Sequence, residues 1–200
     1  MTVNLVVNAR FATRQLSGVD RVAVELTKAL LALGSEGVSL SATGPNADVV
    51  TPLPINIERG RFRGHIWEQI ELPIRHSKDY LLNLCNTGPA AFRNQAVIIH
   101  DAQTYLEPGA YSWAFRSWYK LLLPRLARRA QLVLTISEYS RAKLEQFGVI
   151  PPGKARILPN GADHILSIES DPNTLARYGL ERGATFSRLA ILAPTRTWRC

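Results

Sequence analysis

His100 and Asp101 close a short apolar run, Ala96-Val97-Ile98-Ile99, and a polar loop follows them. Histidine exchanges a proton near neutral pH, and a neighbouring carboxylate can orient its ring or raise its basicity. A run that short, bounded by turn residues, reads as a strand buried on both faces. A titratable pair at its carboxyl end lies where open α/β sheets place ligands. The plainer alternative is that His100 only caps the strand. Three further groups could do chemistry. Gly18, between the first strand and the first helix, lets a phosphate approach backbone amides and a helix N-terminus without a Cβ in the way. Ser137, Glu138 and Ser140 open a helix after a strand; Ser137 suits an N-cap, and Glu138 and Ser140 could reach a ligand. Asn160 and Gly161 end another strand, a pair that by itself makes only a turn.

The elements that must position these residues alternate along the chain. Strands are expected at 3–8, 38–44, 54–60, 79–86, 96–99, 131–137 and 154–161. Helices are expected from Val19 to a stop at Gly34, over 65–77 with an interruption at Pro73, over 111–129, and over 137–148. Such alternation predicts an α/β fold with a Rossmann-like, doubly wound, mostly parallel sheet. The three-glycine dinucleotide fingerprint is absent, which argues against a nicotinamide or flavin enzyme.

The chain has 200 residues, 46% of them hydrophobic and 20% charged, with two cysteines. That composition has a core, offers no disulfide framework and fits a reducing compartment. No stretch approaches the roughly 18 apolar residues that span a bilayer, and the start of the chain does not resemble a secretory leader. A cytoplasmic protein is expected, with peripheral contact to the cytoplasmic membrane face as a further expectation. The net charge of +8 calls for an anionic partner. Basic residues gather in two places: Arg59, Arg61, Arg63, Arg75 and Lys78, then Arg116, Lys120, Arg125, Arg128 and Arg129. The second group shares a helix with Trp113, Trp118 and Tyr119, which suits an anionic membrane interface unless the aromatics face the core. No reading helix or RNA-binding motif accompanies the charge, so no nucleic acid is expected. No cluster has metal-ligand spacing, and no metal is expected.

Taken in order, NARF, SGVDRVAVEL, IWEQIELP, NTGP, IIHDAQTYLEPGAYS, LTISEYSR and ILPNGAD resemble the N-terminal domain of family-4 retaining glycosyltransferases of the GT-B fold, over about residues 3–165. The resemblance implies one half of a GT-B fold, on the acceptor side. It implies transfer of a sugar, mannose being one candidate, from a nucleotide-diphosphate sugar to an acceptor glycan or lipid-linked saccharide, as in polysaccharide biosynthesis. The nucleotide sugar would be a co-substrate, and no cofactor is implied. Residue by residue, Gly18 matches the loop near the donor diphosphate and His100 the position that contacts the donor sugar, with Asp101 supporting it. Ser137, Glu138 and Ser140 would line the cleft, and Asn160 and Gly161 would face the donor domain.

In that family a second Rossmann-like domain holds the donor. Here a linker segment is expected at 166–186, and the tail 187–200 departs from the pattern. Read from one nucleotide earlier, with a permitted choice of codons, the tail becomes a strand, a glycine loop and a Lys-Asn pair like the opening of a donor domain. A frameshift or truncation is therefore expected, leaving a product that binds donor poorly and is inactive alone. A non-catalytic acceptor-binding or membrane-docked fragment is the alternative.

Overall fold

The structure, a computed structural model, describes residues 3–51, 53–167, 169, 171 and 173–179. Strand β1 (Val3–Asn8) leads through a 3-10 turn (Ala9–Thr13) into helix α1 (Gly18–Leu33). Ser17 caps α1, accepting from the amide of Asp20, whose carboxylate in turn accepts from the Ser17 amide. Gly34 ends the helix with φ at +40°, a conformation that favours glycine. Strands β2 (Val38–Gly44) and β3 (Ile57–Arg59) follow.

Helix α2 is built in three parts: Gly64–Ile66, a π-helical turn Trp67–Glu71, and Leu72–Arg75. The irregularity expected at Pro73 lies just before it. A proline has no N–H to give and its ring crowds the carbonyl four residues back. The wider turn, in which the Leu72 amide donates to the Trp67 carbonyl, accommodates both. Next come β4 (Tyr80–Asn83), β5 (Gln95–Ile98), the short helix α3 (Gln103–Leu106), α4 (Trp113–Arg129), β6 (Leu132–Thr135), α5 (Glu138–Gln146), β7 (Ala155–Ile157) and a last turn of helix, α6 (Thr174–Arg177). Helix α3 was not expected. The expected linker 166–186 is described only in part, and the tail 187–200 with Cys200 lies outside the described residues.

The seven strands form one sheet in the order β3-β2-β1-β4-β5-β6-β7, and every neighbouring pair is parallel. Chain direction across the sheet reverses between β1 and β4, so that point is the crevice of a doubly wound fold. Alternate residues face opposite sides. On one side Val7, Ala42 and Ile98 pack with Ala23 and Val24 of α1. On the other, Val6 and Leu81 meet Trp67 and Leu72 of α2, while Val97 and Val133 meet Leu123, Leu126 and Ala127 of α4 and Leu144 of α5. Both layers leave the carboxyl ends of the strands facing one rim.

Candidate functional site

At the crevice, β1 ends on Asn8 and β4 on Asn83, and between them stands Glu68 of α2 with its side chain 1% exposed. Oε1 of Glu68 accepts from Asn8 Nδ2 (3.1 Å), Arg10 Nε (3.1 Å) and Thr87 Oγ1 (2.9 Å), and His65 Nδ1 lies 3.1 Å from Oε2. Burial on its own would push this carboxyl up. The Arg10 charge, with hydrogen bonds from His65 and Asn8, outweighs burial and brings it down to about 2. Glu68 is therefore a fixed anion at neutral pH, and it holds Arg10 in one place. Arg10 Nη2 also donates to Thr87 Oγ1 at 2.8 Å, so two bonds aim its guanidinium at the rim.

A buried amide ladder extends from this pair across three strands. Asn8 Nδ2 donates to Asn83 Oδ1 (2.9 Å), Asn83 Nδ2 to Gln95 Oε1 (2.8 Å), and Gln95 Nε2 to the Pro89 carbonyl (2.8 Å). Gly88 packs on this ladder so closely that an added Cβ would lie 2.5 Å from Asn83 Cγ. The ladder fixes the loop 86–89, in which Asn86 has φ of +62°. An asparagine held in the left-handed region at a strand end marks a loop fixed by its surroundings.

His100 sits next to that loop. It is 2% exposed, its ring Nε2 lies 2.9 Å from the Leu84 carbonyl, and its amide donates to Asn86 Oδ1 at 2.8 Å. Burial lowers the affinity of the imidazole for a proton, more than the Leu84 carbonyl and the Asp101 charge raise it. A neutral ring that donates Nε2–H to a carbonyl keeps Nδ1 as an acceptor. Asp101 does not orient the ring as expected. Its carboxylate is exposed and accepts from the Gln103 amide at 2.8 Å, just ahead of α3, and the Leu84 carbonyl takes the orienting part.

Gly18, Asn160 and Gly161 are brought together. They line one groove of about 710 Å³ between the outer face of α1 and the segment after β7, with Arg21, Glu25 and His164. At Gly18 an added Cβ would meet nothing within 4 Å, so packing among the described residues does not demand glycine there. At the group around Ser137 the N-cap reading holds. Ser137 caps α5 by accepting from the Ser140 amide (3.1 Å), and the two hydroxyls bond to each other (3.1 Å). Ser140 is buried, and the exposed Glu138 pairs with Arg141. Neither serine is offered freely to a ligand.

The geometry up to this point is that of a doubly wound domain with a rigid polar crevice at its switch point. Residues 16–165 match the family model for Glycosyltransferase Family 4, three quarters of the chain. The chain belongs to that family. No curated protein matches it. A family-4 glycosyltransferase domain implies a sugar donor and an acceptor, and the all-parallel sheet is that of one GT-B half.

The Asn8–Arg10–Glu68–Thr87 cluster was not foreseen as a site in this glycosyltransferase domain. Its residues lie in the NARF, IWEQIELP and NTGP segments, but up to 79 positions separate them. The available signal was a polar residue closing each of two apolar strands, Asn8 and Asn83, and an acid, Glu68, beside Trp67 in a helix that also carries Glu71. Cys85, beside the cluster, has its thiol pushed well up by burial and by the Asp20 carboxylate, which leaves it unreactive at neutral pH.

Proposed function

We propose that the described domain is the acceptor-side half of a retaining glycosyltransferase. It moves a sugar, with mannose as one candidate, from a nucleotide-diphosphate sugar to an acceptor glycan or lipid-linked saccharide. The reading is supported most by one observation: Arg10, Thr87, Asn86 and His100 meet at the topological switch point of a family-4 domain. In the transfer, an acceptor hydroxyl oxygen bonds to the anomeric carbon as the bond from that carbon to the diphosphate breaks. The acceptor proton passes to the departing diphosphate on the same face, which retains configuration. His100 would accept a hydrogen bond from a sugar hydroxyl through Nδ1. Arg10, rigidly aimed, would stabilise negative charge near the acceptor. The groove shared by Gly18, Asn160 and Gly161 would face the donor and its diphosphate, with the amides at the α1 N-terminus as donors.

Such a domain would work at the cytoplasmic face of a membrane as a peripheral protein. The alternative is a non-catalytic acceptor-binding module, and one feature speaks for it: Asp101, Ser137 and Ser140 are engaged at the starts of α3 and α5, leaving few side chains to act on a donor. Calorimetric titration of the chain with acceptor glycans and with nucleotide-diphosphate sugars, alongside a labelled-sugar transfer assay, separates the two. Glycan binding fits both readings; transfer once the chain is joined to a donor-binding half supports the enzyme, and glycan binding without transfer in that joined protein supports the module. Binding of neither contradicts both.

A further inference from the structure

Helix α2 turns three large apolar side chains to solvent in a row. Ile66, Ile70 and Ile74 are 60%, 51% and 71% exposed, while Trp67, Glu68 and Leu72 behind them are buried. In a plain α-helix a row at every fourth residue drifts by about 40° per step. The π-helical turn in the middle of α2 is wider and counters that drift, which keeps the three on one face. A free-standing apolar ridge of this kind marks a contact surface.

The charge around the ridge is mostly positive: Arg59 pairs with Asp48 and Arg75 with Glu58 and Glu71, while Arg61, Arg63 and Lys78 form no ion pair with a carboxylate among the described residues. Between residues 59 and 78 the chain carries Arg59, Arg61, Arg63, Arg75 and Lys78, against Glu68 and Glu71. Both acids are turned inward, with side chains 1% and 12% exposed, and Glu71 accepts from the amides of Arg61 and Phe62. Arg61 and Arg63 stand before the ridge and Lys78 after it. Helix α4 lies alongside on the same layer, with the Trp118 ring 5.1 Å from the His65 ring. It has five basic residues and no acid, and it exposes Trp113 (78%) and Leu121 (50%). None of those five bases forms an ion pair with a carboxylate among the described residues.

A second copy of the chain is a poor occupant, because a two-fold contact would set one basic face against another. Nucleic acid would use the bases but not a row of isoleucines. Apolar side chains that insert, rimmed by cations, fit the boundary between headgroups and acyl chains of an anionic bilayer. We propose that the outward faces of α2 and α4 form a membrane-docking surface, with Ile66, Ile70, Ile74 and Trp113 inserted and Arg61, Arg63 and Lys78 against anionic headgroups. Both helices begin at the rim where the strands end, so a docked domain holds its crevice close to a membrane-borne acceptor. The inference deepens, and rests on, the reading of a lipid-linked acceptor.

The test is co-sedimentation of the chain with vesicles made of equal parts phosphatidylglycerol and phosphatidylcholine, and with pure phosphatidylcholine vesicles. The wild-type chain binds the anionic vesicles and not the neutral ones. The triple variant I66S/I70S/I74S keeps the net charge, and its partitioning falls roughly tenfold or more. The control L33S/V49S/V50S, which removes exposed apolar groups elsewhere, binds as the wild type does. Matching circular dichroism and melting temperatures show that both variants fold. Three results would overturn the proposal: no binding of the wild type to anionic vesicles, equal binding by the isoleucine variant, or binding to an acidic polypeptide in place of vesicles. The readout needs no sugar, so a failed transfer assay and a failed docking surface are told apart.

Discussion

Arg10 donates from Nε to Oε1 of Glu68 at 3.1 Å, joining the loop after β1 to the π-helical turn of α2 across the switch point of the sheet. The carboxylate is buried and the guanidinium side chain is 19% exposed, so one partner is fixed by the core and the other reaches the rim. Removing the anion leaves a cation with little water around it. Glu68→Gln is expected to cost about 3 kcal/mol, measured by urea unfolding at pH 7.

The same pair sets an acid limit on stability. The folded carboxyl titrates at about 2, below its ordinary 4.5, so the unfolded chain binds the proton more readily. Its contribution is complete above pH 4.5 and is lost as the pH falls through 2. Between pH 5 and pH 2.5 the wild type should lose stability faster than Glu68→Gln. Parallel curves for the two proteins would contradict the assignment.

Two glycines on opposite sides of β1 should answer alanine differently. At Gly88 the new methyl collides with Asn83 and breaks the amide ladder, so Gly88→Ala should cost about 2 kcal/mol, or roughly 4–8 °C in melting temperature. At Gly18 the methyl meets open space, and Gly18→Ala should melt within a degree or two of the wild type. If Gly18 faces a donor phosphate, the same variant loses nucleotide-sugar binding while keeping its fold.

His100 unites a structural and a chemical part. His100→Ala should cost about 2 kcal/mol, because it removes a buried ring and the bond to the Leu84 carbonyl. The folded imidazole resists protonation while the unfolded one titrates near 6.5, so its stabilising share is whole above that pH and is lost below it. The stability gap between the wild type and His100→Gln should therefore narrow as the pH falls below 6.5. Denaturant midpoints of both proteins across this range give the comparison.

The doubly wound sheet was legible because runs such as 96–99 are apolar on both faces and helices such as α1 carry apolar periodicity and a stop at Gly34. Strand 38–44 and the extent of α1 follow the residue pattern closely. Strand β3 came out as Ile57–Arg59, shorter than 54–60, because local pattern does not say how many residues find a ladder partner. The switch-point cluster stayed hidden for a different reason. Glu68 is an ordinary helix acid until the fold buries it beneath Asn8, Arg10 and Thr87, contacts that span 60, 58 and 19 positions. Asp101 misled because adjacency in sequence is not adjacency of side chains: its carboxylate turns forward to the Gln103 amide.

The most direct test of the central claim is an amide NMR titration of the chain with a panel of glycan and lipid-linked saccharide acceptors. Binding at the crevice should shift amides at 8–18, 84–88 and 100–104, with smaller changes around 158–164 when a nucleotide-diphosphate sugar is added instead. Shifts confined to surfaces away from the carboxyl ends of β1, β4 and β5, or no shift with any acceptor in the panel, would contradict the assignment of this crevice as the acceptor site.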